Sequence, residues 1–197
     1  EPANEPQGAS TNGAPTPQRT ATARPLGGER WNRLAARALA AVRETNPARV
    51  VLIGPDDWNH PRGLARLRLP ADRHLIVTIH SYDPFDFTHQ AVPWRQPVLP
   101  RGVGCCDDAQ RQRRREALNP ATAWSRTQGV PLYLGEFGAY SRADDATRIA
   151  WTRAVREEAE ARGFAWAYWE LASSFGVLEP LSLQWRQPLL DALLPAR

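Results

Sequence analysis

The sequence contains no lysine and no methionine, and its two cysteines, Cys105 and Cys106, are adjacent. All 25 basic side chains are therefore arginine, which reads as a coding bias rather than a phosphate-binding device. Two cysteines cannot build a disulfide-dense scaffold. Ordinary disulfide geometry needs Cα atoms about 4.4–6.8 Å apart, which neighbours do not reach without distortion. The pair is therefore expected to be free, or to have one member bonded outside this chain. No apolar run approaches the roughly 20 residues that span a bilayer. No stretch has the charged start and apolar middle of a signal peptide. With no methionine there is no initiator, and Glu1-Pro2-Ala3-Asn4-Glu5-Pro6 reads as the interior of a longer chain.

What is present is ordinary for a folded domain: 197 residues, 42% hydrophobic and 23% charged. That length suits one α/β domain with a buried core. The net charge of +4 invites a nucleic-acid reading. The arginines, however, are spread along the chain and mixed with acids. The one dense run, Arg111-Gln112-Arg113-Arg114-Arg115, has no interleaved aromatics for base stacking and reads as a solvated helix face. Neither nucleic acid nor membrane is expected as a partner.

Hydrophobic periodicity divides the chain. Residues 9–28 are rich in Thr, Pro, Gly and Ala and form a long loop. Trp31, Leu34, Ala35, Ala38, Leu39 and Val42 recur at three and four, predicting a helix over 29–45 that ends at Asn46-Pro47. The continuous apolar runs 49–55, 74–80, 130–135 and 164–169 read as strands buried on both faces, the signature of a parallel sheet. Between them, 91–110 is irregular, 111–128 is helical with a break near Asn119-Pro120, and 144–162 is a helix capped by Asp144 or Asp145 and closed by Gly163. A short helix over 188–194 follows. Strands alternating with helices give an α/β class with a parallel sheet.

The strand ends carry the chemistry. Glu5 follows a strand remnant; Asp56, Asp57 and Trp58 follow the run at 49–55; His80 and Tyr82 follow the next; Glu136 follows the third; Trp169 and Glu170 close the last. In a parallel (β/α) barrel the active site is built at the C-terminal ends of the strands. His80 and Tyr82, two residues apart, are expected on one side of their strand. Glycosidic cleavage needs two carboxyl groups flanking the scissile bond, one protonating the leaving oxygen and the other attacking the anomeric carbon. Asp56 and Asp57 alone make no metal ligand set, and His60, His74 and His89 have no zinc spacing, so no metal and no cofactor are expected.

An ordered set of segments runs almost the whole chain: Asn4-Glu5-Pro6, Trp58-Asn59, 80–90 (HSYDPFDFTHQ), 131–140 (PLYLGEFGAY) and 164–175 (FAWAYWELASSF). The set resembles glycoside hydrolase family 5, the cellulase family of retaining (β/α)8-barrel glycosidases. The resemblance implies a TIM-barrel fragment covering about strands 4 to 8. It makes residues 1–197 a partial catalytic domain lacking the first three βα units, with 9–28 as a loop insertion. Residue by residue, it implies Glu5 as acid/base, Glu136 as nucleophile and Asn4 on the sugar 2-hydroxyl. Tyr82 would hold Glu136 ionised and oriented, His80 would line the pocket, and Trp169 would be the platform under the sugar. Trp58, Trp94 and Phe87 are weaker candidates for stacking on neighbouring sugars, while Trp31, Trp151 and Trp166 are packing residues.

The implied protein is a secreted, monomeric endo-β-1,4-glucanase that binds β-glucan polysaccharide or oligosaccharide and needs no cofactor. Mannan or xyloglucan specificity and a non-catalytic carbohydrate-binding relative are the alternatives. An eight-stranded barrel takes about 250 residues. An open five-strand sheet would leave edges and apolar surface bare, so residues 1–197 expressed alone are expected to fold poorly and to be inactive. Cooperative thermal unfolding with glucanase activity from that fragment would overturn this.

Overall fold

The computed structural model describes residues 26–195; Asn4, Glu5 and most of the 9–28 loop lie outside them. Helix α1 (Glu29–Thr45) is followed by β1 (Val51–Ile53), a 3-10 helix (Pro61–Arg66), β2 (Leu75–His80), α2 (Phe85–Thr88), α3 (Asp108–Gln128), β3 (Leu132–Glu136), α4 (Asp145–Ala161), β4 (Ala165–Trp166) and α5 (Gln187–Leu193). The strands are ordered β1-β2-β3-β4 in one sheet. β1 and β2 are parallel, with Val51 opposite Leu75 and Ile53 opposite Val77. Among the described residues no helix is long and apolar enough to cross a membrane.

The chain forms two compact units, one running to His80 and including Asn119–Tyr133, the other comprising Ser81–Leu118 and Leu134 onward. In the first, α1 buries Trp31, Ala35 and Leu39, spaced by one turn each. The Trp31 indole N–H donates to the Gly54 carbonyl (2.8 Å), locking the helix to the end of β1. Asn32 is also buried, its amide donating to the Arg66 carbonyl and accepting from the Arg68 N–H. The alternation expected of a half-buried strand is absent from β2, which buries Leu75, Val77, Thr78, Ile79 and His80. That is the burial of a strand covered on both faces.

In the second unit, α4 starts at Asp144, whose carboxylate accepts from the Thr147 N–H and hydroxyl. It ends before Gly163, which is left-handed at φ 73°. Its inward face carries Arg148, Trp151, Thr152, Val155, Arg156 and Ala159, a three-and-four repeat. Trp151 packs on Phe87 and Phe137 and donates to the Asp83 carbonyl (3.0 Å). Gln90 is fully buried and spends its amide on one loop: its NH2 donates to the Phe87 and Val103 carbonyls, and its oxygen accepts from the Gly102 N–H.

Four sequence expectations change. α3 runs unbroken through Pro120, which lies on the exposed side of the helix. There, solvent can serve the carbonyl that proline leaves unbonded. β4 is only two residues long, although the run beyond it stays along β3 through Ala167 N–H to Leu134 O and Trp169 N–H to Phe137 O. The arginine run is not wholly solvated: Arg114 is buried, Arg111 pairs with Asp108, and Arg115 pairs with Glu158. Cys105 and Cys106 are joined to each other, their Cα atoms 3.1 Å apart across a cis peptide. The expectation rested on the Cα separation of about 4.4–6.8 Å in an ordinary disulfide, and this pair is joined at a shorter one.

Candidate active site

β3 delivers Glu136 at its C-terminal end, half-buried, with Phe137, Gly138, Ala139 and Tyr140 buried behind it. The Tyr82 hydroxyl donates to Glu136 Oε2 at 2.9 Å. This contact does not arise as the alternation argument supposed. β2 stops at His80, and the next residue, Ser81, donates its N–H to the Glu136 carbonyl (3.0 Å). Tyr82 therefore lies beyond the strand and reaches the carboxylate from the irregular segment that follows it. That segment is itself fixed: the Thr88 hydroxyl donates to the Tyr82 carbonyl (2.6 Å), and the Tyr140 N–H donates to the Thr88 carbonyl (2.8 Å). A phenol aimed at one carboxylate oxygen leaves the other available to a substrate carbon.

Trp169 is 42% exposed, a state that suits a stacking surface. Its main chain is bonded to Phe137, the residue after Glu136. The approach is close because position 138 is glycine: a Cβ there would lie 2.0 Å from the Trp169 carbonyl oxygen and 3.3 Å from the Phe175 ring. The glycines of Gly135-Glu136-Phe137-Gly138 thus include one that sets how near the Trp169 main chain comes to the end of β3.

His80, in the other unit, is buried, and its Nε2 faces the Asn59 amide nitrogen at 3.2 Å. Its N–H donates to the Asn59 carbonyl (2.9 Å). Asn59 ends a run of three left-handed residues, Asp57, Trp58 and Asn59, at φ 69°, 56° and 55°. Such a run costs free energy at each non-glycine position and collects at functional sites. Trp58, half-buried, is carried on it. Asp56 and Asp57 do not act together: Asp56 is buried against Arg66 and accepts the Gly28 N–H, while Arg62 beside Asp57 lowers its pKa against the raising effect of burial. Among the described residues no three His, Cys, Asp or Glu side chains cluster as a metal site.

An aromatic group surrounds Tyr82. His89 meets it edge-on at 5.0 Å and stacks on Phe85 at 4.0 Å, and Phe175 meets Tyr82 edge-on at 6.3 Å. Trp94, 56% exposed, leans on Tyr140 and Phe175. Phe87, a stacking candidate by sequence, is instead fully buried against Trp151. Burial and, secondarily, the Arg95 charge lower the His89 pKa to about 4. Because the fold favours the neutral ring, the associated stability is complete above the unfolded value near 6.5 and declines as pH falls toward 4. Between pH 7.5 and 4.5 this amounts to about 2 kcal/mol. Urea unfolding at those two pH values should show a pH sensitivity smaller by that amount in His89→Gln; an unchanged difference would refute the assignment.

Asn4 and Glu5 lie outside the described residues. Of the others, Tyr82 and Glu136 are in contact, and Trp169 is tied to the residue after Glu136. Sequence reasoning missed His89, Phe175, Gly138 and Arg148. His89, Gly138 and Phe175 lie inside the matching segments but follow no spacing pattern that marks them, and Arg148 lies outside every segment.

The Cellulase (glycosyl hydrolase family 5) model matches residues 1–174. Endoglucanase H of Acetivibrio thermocellus is 35% identical over 134 residues, 68% of this chain and 14% of that protein. A hyperthermophilic endo-β-1,4-glucanase solved in complex with substrate superposes with a TM-score of 0.87 at 36% identity, covering 98% of this chain and 57% of its own. Thermotoga maritima Cel5A, solved with mannotriose, gives 0.82 at 38% identity, covering 84% of this chain and 55% of its own. The chain thus spans little more than half the length of the solved relatives it matches. The α/β architecture is a segment of the (β/α)8 barrel of these enzymes. With the family model matching residues 1–174, the chain belongs to glycosyl hydrolase family 5, the cellulase family.

Proposed function

We propose that the protein carrying this chain is a secreted endo-β-1,4-glucanase working by retaining double displacement. Glu136 attacks the anomeric carbon while Glu5, protonated, donates to the departing glycosidic oxygen. The glycosyl–Glu136 ester is then hydrolysed by a water that Glu5 deprotonates, returning both carboxyls to their starting states. Asn4 holds the sugar 2-hydroxyl, a contact that strengthens as positive charge develops at the ring. Tyr82 aims the Glu136 carboxylate, His80 lines the pocket, Trp169 stacks under the sugar, and Trp58 and Trp94 offer further aromatic faces.

One observation carries this reading: the 2.9 Å bond from the Tyr82 hydroxyl to Glu136 Oε2 at the end of a barrel strand. The endoglucanase relatives support β-1,4-glucan as the substrate. A relative solved with mannotriose supports β-mannan as the second reading. The complete protein should release reducing ends from carboxymethyl cellulose, with the β-anomer as first product by NMR. Faster cleavage of mannan would select the second reading. Binding of either glycan with no reducing ends released would overturn both.

A further inference from the structure

Arg148 projects from the first turn of α4 into the interior of its unit and is 2% exposed. A buried charge is ordinarily matched by a carboxylate. Here the partners among the described residues are all neutral oxygens. One terminal nitrogen donates to the Phe175 carbonyl, the Gly176 carbonyl (3.1 Å) and the Tyr168 hydroxyl (3.4 Å). Tyr168, whose pKa burial raises, donates in turn to the same Phe175 carbonyl (2.9 Å). A guanidinium thus gathers both ends of the segment 168–176, the segment that carries Trp169.

The gathered residue matters as much as the gathering. The Phe175 ring packs with Val92 and Tyr140 in a small buried cluster, and Tyr82 lies against that cluster. Phe175 also sits 3.3 Å from where a Cβ of residue 138 would be. Tyr82 is the group that donates to Glu136. A contiguous path therefore runs from the Arg148 guanidinium to the Phe175 main chain, from its ring to Tyr82, and from the phenol to the carboxylate. A second branch runs from Tyr168 to the adjacent Trp169.

We propose that Arg148 is a positioning residue for the cleavage reaction, setting the angle of the Tyr82–Glu136 pair through Phe175. It touches no substrate. The proposal rests on the reading of Glu136 as the nucleophile. Lysine keeps the charge, but its shorter stem does not bring the ammonium to the position of the one nitrogen that serves Phe175, Gly176 and Tyr168. A shift of about 1 Å in a positioned group can cost on the order of 100-fold in rate.

The test is a double-mutant cycle in the complete protein with carboxymethyl cellulose and an aryl cellobioside. Arg148→Lys should lower kcat about 10- to 100-fold on both substrates. In a Tyr82→Phe background, where the phenol no longer reaches Glu136, the same change should cost less than about threefold, the non-additivity expected of coupled residues. A merely structural arginine would lower Tm and leave the two effects multiplicative, and that result overturns the proposal. If Arg148→Lys does not fold, Phe175→Leu, which cuts the path while keeping the carbonyl bonds, takes its place in the cycle with the same two outcomes. An unmutated protein with no glycosidase activity overturns this proposal together with the function it rests on. Activity with a multiplicative cycle overturns this proposal alone.

Discussion

Glu136→Gln should reduce β-glucan hydrolysis by a factor on the order of 10⁴–10⁶ while leaving the fold intact, the scale seen when a covalent nucleophile is removed. Glutamine is nearly isosteric, and its amide oxygen can still accept from the Tyr82 hydroxyl, which now stands 2.9 Å from Oε2. The substitution therefore tests charge and nucleophilicity, not shape. Azide separates the two carboxylates. In Glu136→Ala an azide ion can enter the vacated face and displace the leaving group directly, giving an α-glycosyl azide. In Glu5→Ala, with an activated leaving group, Glu136 still forms the ester and azide attacks from the opposite face, giving the β-azide. An α-azide from the Glu5 variant and a β-azide from the Glu136 variant would reverse the assignment. Glu136→Gln with more than a tenth of the original kcat would remove Glu136 from the chemistry.

Gly138→Ala, the addition of one methyl group, should lower kcat/KM about 100-fold. The new Cβ would lie 2.0 Å from the Trp169 carbonyl oxygen and 3.2 Å from its carbonyl carbon. The obstructing atoms are main chain, so rotation of a side chain cannot relieve the overlap. Either Trp169 backs away, breaking its N–H bond to Phe137, or the end of β3 does, carrying Glu136 with it. Both movements spoil the relation between platform and carboxylate. Steady-state kinetics with cellotetraose and a melting curve on the complete protein check this. Activity within twofold of the parent would show that the approach is looser than the geometry states.

Much of the architecture was legible because it is locally encoded. Trp31, Ala35 and Leu39 announce α1 by spacing, and Asp144 and Gly163 bracket α4 through capping chemistry that acts within a few residues. The buried run ending at His80 announces β2 by composition. Where local rules misled, a neighbour had changed their premise. Pro120 breaks no helix where solvent serves the freed carbonyl. The cysteine pair is joined at a Cα separation shorter than the ordinary range. Alternation said nothing valid about Tyr82, because the strand had ended two residues earlier. Within the site, motif and family resemblance pointed to Glu136, Tyr82 and Trp169. Arg148 and Phe175 were illegible for one reason: each matters through residues far away in sequence, as when Arg148 meets Phe175 across 27 positions. No periodicity records such a meeting.

Gln90 has a bearing on how this enzyme family could diversify. By holding Phe87 on one side and Gly102 and Val103 on the other, one amide closes the neck of the segment that presents Trp94. A second clasp, Ala91 N–H to Leu99 O, lies just inside it. Loop closure depends only weakly on the number of residues enclosed. Insertions and deletions between these clasps can therefore exchange one rim for another, while Tyr82 and Glu136, on the far side of the neck, keep their alignment.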